Sequence, residues 1–280
     1  MKRLESSHWF TKTLVWFALM AVFTTVMFIV WFIWGDPQSV SSLKWLQLMQ
    51  SFAVFVLPAI CGAWLWSARP FEWLHLDRGF TWRTALYAIA IMIAALPGIN
   101  LLSDLNRQLS LPAFLEPLEA YMKQSEEAAK VLTEQFLEAD NIATLLLNIG
   151  LMALLPAIGE ELSFRGVLQG LFPERYRHTA IWVTAAIFSF IHFQFYGFVP
   201  RMLMGALFGY MLVWTGSLWV PVLMHFTNNA LAVLAYYISD HYELPEEFLE
   251  SFGAGEYWWI GIVSIVISGV LIRLFVRGRS

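Results

Sequence analysis

A single cysteine in 280 residues has no partner within the chain, which excludes a disulfide framework and a cysteine-based metal cluster. Cys61 lies in an apolar run and reads as a buried structural thiol. Charge is also scarce: Asp, Glu, Lys and Arg make up 14% of the chain. There is no basic stripe and no recognisable reading motif, so nucleic acid is not an expected partner. No internal repeat stands out, which weakens the case for an inverted-repeat transporter. Neither H-E-x-x-H nor G-x-S-x-G occurs, and Gly35-Asp36 is a lone acid in a loop, so the hydrolase classes carrying those signatures are set aside. What remains is apolar, with 59% hydrophobic residues and 14 Trp. Those values describe an all-α, polytopic membrane protein.

Apolar runs predict about eight spans: Thr13–Trp34, Leu46–Trp66, Thr84–Leu102, Ile142–Phe172, Thr179–Phe198, Met202–Thr215, Leu218–Ser239 and Tyr257–Phe275. All but the short sixth have enough apolar residues to cross a bilayer. The first is longer than a signal-peptide core and no small-residue cleavage site follows it. Lys and Arg divide by side. Lys2, Arg3, Lys12, Arg69, Arg78, Arg83, Arg175, Arg177, Arg273, Arg277 and Arg279 fall with the termini, and Lys44, Arg107, Lys123, Lys130 and Arg201 fall opposite. This bias predicts both termini in the cytoplasm. The acidic loop Tyr242–Glu256, with Glu243, Glu246, Glu247, Glu250 and Glu256, is then outside. Compact loops and no targeting extension suggest a bacterial inner membrane.

The connection from Ser103 to Asp140 alternates charged and apolar residues at helical spacing, with opposite charges at i+4. It reads as an interfacial amphipathic helix between spans three and four, or as a cover over a site. The chain thus divides into 1–140, three spans and this connection; 141–239, spans four to seven; and 240–280, an acidic loop and the last span.

Ionisable residues at membrane depth are expensive and mark functional sites. In the fourth span, Glu161 and Arg165 stand at i and i+4 with the acid first, the favourable order for a pair. Glu160 is left without its own counter-charge, the condition in which a protein prepares a general acid or base. His192 lies in the fifth span, and His225 with Asn229 on one face of the seventh. Counted from the cytoplasmic turn Pro173–Arg177, Glu160 lies about 18 Å deep and His192 about 21 Å deep at 1.5 Å per residue. His225, about 12 Å beyond Ser217 by the same rise, joins them only if the Thr215-Gly216-Ser217 turn is recessed. Such a set can hold zinc through Glu160, His192 and His225, with a position open for water. Without metal, Glu160 and His192 can polarise a water while His225 and Asn229 hold a developing oxyanion. Either route hydrolyses an amide.

Glu160-Glu161-x-x-x-Arg165, Phe188-x-x-x-His192 and His225-x-x-x-Asn229 together resemble the three motifs of the CPBP family, the CAAX prenyl proteases and bacteriocin-processing (Abi) proteins. The resemblance covers roughly Asn141 to Tyr236. It implies a bundle of about eight membrane helices in which Glu160 and His192 activate water, His225 and Asn229 stabilise the oxyanion, and Glu161 with Arg165 shape the site. Whether a divalent metal such as zinc takes part is left open. The resulting expectation is an intramembrane endopeptidase acting on lipidated or membrane-associated peptides and proteins, with its site open toward the cytoplasmic half or laterally to the bilayer. The alternatives are a non-catalytic immunity or scaffold protein that binds a peptide or bacteriocin, and a proton- or ion-coupled transporter.

Overall fold

A computed structural model of the chain describes residues 4–242 and 251–278. The basic residues Lys2, Arg3 and Arg279 and the acidic residues Glu243, Glu246, Glu247 and Glu250 lie outside the described residues. The described chain is all-α with no strand: α1 Trp9–Trp34, α2 Val40–Trp66, α3 Trp82–Arg107, α4 Glu116–Leu137, α5 Ile142–Leu171, α6 Arg177–Phe190, α7 Phe198–Thr215, α8 Trp219–His241 and α9 Trp258–Arg277. Among the described residues six helices are long and apolar enough to cross a membrane: α1, α2, α3, α5, α7 with the turn before it, and α9. The protein is an integral membrane protein.

The expected fifth and sixth spans need correction. The fifth, drawn to Phe198, stops at Phe190 after 14 residues. Beyond it the chain leaves the helix through Ile191–Gln194, with Phe193 at φ 53°. The sixth begins earlier than Met202, at Phe198, and runs 18 residues. The apolar composition of Phe190, Phe193, Phe195 and Phe198 hid this break. A hydropathy pattern registers burial in lipid or protein, not helix continuity.

Two prolines shape the helices around the site. Pro58 and Pro156 each lack the N–H that would bond the carbonyl four residues back, and each ring crowds that carbonyl. The chain widens into a π-helical turn just before each of them, over Ser51–Val56 and Ile149–Leu154. A third such turn, Leu162–Leu168, follows Glu161. The first and last are joined by the Ser163 hydroxyl, which donates to the Phe55 carbonyl at 2.9 Å. π-Turns of this kind concentrate at functional sites.

Two cores flank α5, α7 and α8. One packs Trp16, Phe55, Trp66, Leu74, Phe164 and Leu218 near the face that carries the chain ends. The other packs Ile91 and Met92 of α3, Phe208 of α7, Met224 of α8 and Phe275 of α9. The helices of the three expected segments therefore share cores. Pro97 bends α3 against α9, where the Ser264 hydroxyl accepts from the Gly98 N–H at 2.9 Å and donates to the Ala94 carbonyl. A side chain from a neighbouring helix thus occupies a proline-disturbed backbone ladder, as membrane helices require.

The Thr215–Ser217 turn is recessed. Ser217 is 1% and Leu218 0% exposed, and the loop Leu74–Arg78 covers them. Leu218 N–H donates to the His75 carbonyl, Ser217 Oγ to the Arg78 carbonyl and Trp219 Nε1 to the Leu76 carbonyl. Gly216 adopts φ 66°, a left-handed conformation that ends α7 and favours glycine. This arrangement brings His225 to the depth of the other polar residues.

Helix α4 is amphipathic, as read. Its first turns are tied by Glu119, which pairs with Lys123 at 2.9 Å and accepts the Leu111 N–H. The Lys123 hydrogen bond, ahead of the Leu111 N–H, holds the Glu119 carboxyl below its ordinary range. Its far end packs against α5 through Asn148, which donates to the Leu137 and Glu138 carbonyls while accepting from Lys44.

Candidate active site

Five of the six polar residues singled out in the sequence, Glu160, Glu161, Arg165, His192 and His225, meet within the bundle, and Asn229 lies one turn beyond His225 on α8. Glu161 is the centre of the five and is fully buried. Its Oε1 accepts from Arg165 Nη1 at 2.9 Å and from His225 Nδ1 at 2.8 Å. Arg165, also buried, reaches the Gly205 carbonyl with Nη2 at 2.9 Å. Its guanidinium lies over the rings of Phe188 and Phe208, at 4.6 and 5.4 Å from their centroids. A carboxylate, a hydrogen-bonded carbonyl and two aromatic faces therefore offset the cost of burying this cation.

That contact requires glycine on α7. A Cβ at Gly205 would stand 3.0 Å from Arg165 Nη2, and one at Gly209 would stand 2.6 Å from Gln169 Oε1. Gln169 in turn donates to the Gly209 carbonyl. Two side chains four apart on α5 thus read two glycine carbonyls four apart on α7, a small-xxx-small packing face. The sequence reading missed Gln169, Gly205 and Gly209, although Gly205-x-x-x-Gly209 in an apolar run is a legible signal.

Glu160 turns the other way. Its Oε2 makes no direct hydrogen bond, yet His192 Nε2 is 4.0 Å and His225 Nε2 3.9 Å from it. Each imidazole is held by its other nitrogen, His192 Nδ1 at 2.7 Å from the Phe188 carbonyl and His225 Nδ1 at 2.8 Å from Glu161. Against a carbonyl, Nδ1 has to carry the proton, so His192 Nε2 presents a lone pair toward Glu160. The spacing is too long for direct hydrogen bonds and suits a water bridging carboxylate and imidazole.

Asn229 completes the arrangement from α8. Asn229 Nδ2 donates at 3.4 Å to the Met152 carbonyl, in the π-turn ahead of Pro156. Its Oδ1 accepts from Asn228 at 3.2 Å. The carboxamide is thereby oriented, and one of its two N–H groups stays available. For His225 the geometry refines the expected role. With Nδ1 donating to Glu161, Nε2 can donate to an oxyanion only when the ring is an imidazolium.

The donor types suit zinc, but their spacing does not. Two tetrahedral ligands bound at about 2.0 to 2.2 Å stand about 3.4 Å apart, whereas Glu160 is 3.9 and 4.0 Å from the two imidazoles. Among the described residues no three His, Cys, Asp or Glu side chains are grouped closely enough to hold a metal ion.

A cavity of about 1210 Å³ lies beside the loop that carries His192, with Gln194, Tyr196, Gly197 and Arg201 on one wall, Asn228 and Leu231 of α8 on another, and Lys123, Glu126 and Glu127 of α4 above. It lies on the side of α4, opposite the Pro173–Arg177 turn. Because α6 ends early, His192 sits just past it, in the 191–197 loop rather than in a helix. Glu126 of α4 accepts the Tyr196 N–H at 3.1 Å, and Asn106 of α3 donates to the Phe195 carbonyl at 2.9 Å. Arg201, counted as a loop residue from sequence, is in the first turn of α7 and lines this cavity.

Residues 142–231 match the family described as type II CAAX prenyl endopeptidase Rce1-like. The chain is also 35% identical over 88 residues to the uncharacterized protein YpbD of Bacillus subtilis (strain 168), an alignment that covers 30% of this chain and 43% of that protein. The chain therefore spans less than half the length of this curated relative. No solved structure matches it. The matched segment contains Glu160, Glu161, Arg165, His192, His225 and Asn229, and over that segment the chain is similar to the type II CAAX prenyl endopeptidase Rce1-like family.

Proposed function

We propose that the protein is an intramembrane endopeptidase that hydrolyses peptide bonds in lipidated or membrane-associated peptides and proteins. The observation that carries this reading is the convergence of two imidazole nitrogens on Glu160 Oε2, a buried carboxylate oxygen that makes no direct hydrogen bond. A water between Glu160 and His192 gives up its proton as its oxygen attacks the scissile carbonyl. The negative charge that develops on the carbonyl oxygen is met by the spare Asn229 N–H and by His225 as imidazolium, which Glu161 stabilises from the other side. The proton then passes to the departing amine, leaving a new carboxylate and a new N-terminus. Arg165 holds the Glu161 carboxylate in place and touches no reacting atom.

Purified protein in nanodiscs, incubated with a library of membrane-associated peptides, is expected to generate new termini detectable by mass spectrometry. Glu160→Ala is expected to generate none. Because the carboxylate and imidazoles are spaced for water, chelation with EDTA or 1,10-phenanthroline is expected to leave the rate unchanged. Loss of activity on chelation and its return with zinc would replace this water-activation scheme with a metal-bound one.

We further propose that both termini face the cytoplasm of a bacterial inner membrane and that the cavity faces outward, a reading supported by the distribution of Lys and Arg. An impermeant thiol reagent on Cys61→Ser cells is expected to label Glu116→Cys on α4 and to spare Arg177→Cys. The reverse pattern would invert the orientation and place the cavity toward the cytoplasm.

A further inference from the structure

Between His178 and Arg273 the sequence holds one Lys or Arg, Arg201. It is half-buried in the cavity wall, in the first turn of α7. Its guanidinium is fixed by one residue: Nη1 donates to the Gln194 carbonyl at 3.3 Å and Nη2 to the Gln194 side-chain oxygen at 2.6 Å. Gly197 permits this position, since a Cβ there would lie 3.0 Å from Nη2. Among the described residues no carboxylate forms an ion pair with Arg201, although Glu126 and Glu160 both act on it electrostatically. Glu126 directs its Oε2 to the Tyr196 N–H instead.

A partly desolvated cation without an ion pair is costly unless an anion arrives to meet it. Two of the five guanidinium N–H groups are engaged, and a planar carboxylate is the anion whose geometry matches the remainder. The rest of the cavity lining is mixed in charge, with Arg107, Lys123 and Lys130 among Glu126, Glu127, Glu134 and Asp240, and Arg201 is the cation nearest the 191–197 loop. Gln194 is two residues from His192, so an anion held by Arg201 is held beside the reacting water.

We propose that Arg201 binds a carboxylate of the substrate next to the bond that is cut, either the free C-terminus or an Asp or Glu side chain. Arg201 is then a specificity residue of the endopeptidase reading given above, on which this proposal rests. Holding a terminal carboxylate there limits cleavage to the last few residues of a chain, and holding a side-chain carboxylate selects an acidic residue at one subsite.

Binding can be measured without hydrolysis, which keeps this proposal separable from the catalytic one. Three probes are used: acetyl-Leu-Leu-Phe as the free acid, the same peptide as the C-terminal amide, and acetyl-Leu-Glu-Phe amide. Binding to full-length protein in nanodiscs is read by thermophoresis for wild type, Glu160→Gln, Arg201→Gln, Arg201→Lys and Gly197→Ala. Wild type and Glu160→Gln are expected to prefer at least one carboxylate-bearing probe over the uncharged amide by about tenfold or more, the scale of a charged hydrogen bond. Preference for the free acid identifies a terminal carboxylate, and preference for the Glu-containing amide a side chain. Arg201→Gln is expected to abolish the preference, Arg201→Lys to keep part of it, and Gly197→Ala to weaken it by displacing the guanidinium. Equal binding of all three probes to wild type overturns the proposal even if Arg201→Gln fails to fold, as does a preference that survives in a folded Arg201→Gln. Absence of hydrolysis with the preference intact would instead count against the endopeptidase reading alone.

Discussion

Glu160→Gln is expected to reduce hydrolysis by about 10²- to 10⁴-fold or more, the range contributed by a positioned general base, while leaving the fold and peptide binding intact. The substitution keeps the shape of the side chain and removes only its ability to take a proton. It strands nothing, because Glu160 Oε2 has no hydrogen bond to lose and the network around Glu161 is built on a different carboxylate. A parallel measurement of unfolding in detergent should therefore give a midpoint at or above that of wild type. His192→Ala should share the catalytic defect, since its Nε2 faces the same oxygen. If Glu160→Gln cleaves at the wild-type rate, the catalytic scheme falls and the immunity or scaffold alternative takes its place.

Arg165→Ala is expected to act in the opposite way, on stability first. It leaves the Glu161 carboxylate buried with His225 as its remaining hydrogen-bond donor, strips the donor from the Gly205 carbonyl, and opens a void between Phe188 and Phe208. Removing one partner of a buried ion pair costs about 3 to 5 kcal/mol, enough to lower the unfolding midpoint plainly. Arg165→Lys should recover only part of it, because an ammonium lacks the planar fork that spans Glu161 and Gly205. Coupling is the sharper measure: Glu161→Ala combined with Arg165→Ala should cost much less than the two single changes added together. Additive costs, or an Arg165→Ala midpoint equal to that of wild type, would mean that the pair does not hold this part of the bundle.

Much of this arrangement was legible in the sequence for a physical reason. Charge is so costly in an apolar span that Glu160, Glu161, Arg165, His192, His225 and Asn229 stand out against their surroundings, and helical rise alone sets Glu160 and His192 at one depth. The recessed turn followed from the same counting, because His225 reaches the others only when Thr215–Ser217 is drawn inward. What the sequence hid depends on backbone geometry and on contacts between helices. The π-turns ahead of Pro58 and Pro156 change the direction of side chains without changing composition. That Asn229 bonds the Met152 carbonyl follows from the packing of α5 on α8, which no local pattern reports. Arg201 was placed outside the sixth span because a charge was taken as the edge of an apolar run; the helix begins before it. The break after Phe190 is the largest omission, since aromatic residues are as frequent in a buried loop as in a helix.

That break has a consequence for the lipid. At 1.5 Å per residue the 14 residues of α6 extend about 21 Å, against a hydrocarbon thickness of about 30 Å. The deficit of about 9 Å is met either by thinning of the adjoining bilayer or by water and loop filling the difference. A substrate helix of ordinary length lying alongside would match the membrane elsewhere but overhang α6 by about six residues. Those residues, deprived of hydrocarbon, have the least to lose by unwinding, and peptide bonds are attacked in extended chains. Local mismatch would thus select where a transmembrane substrate frays, at the level of His192, before any side chain is recognised.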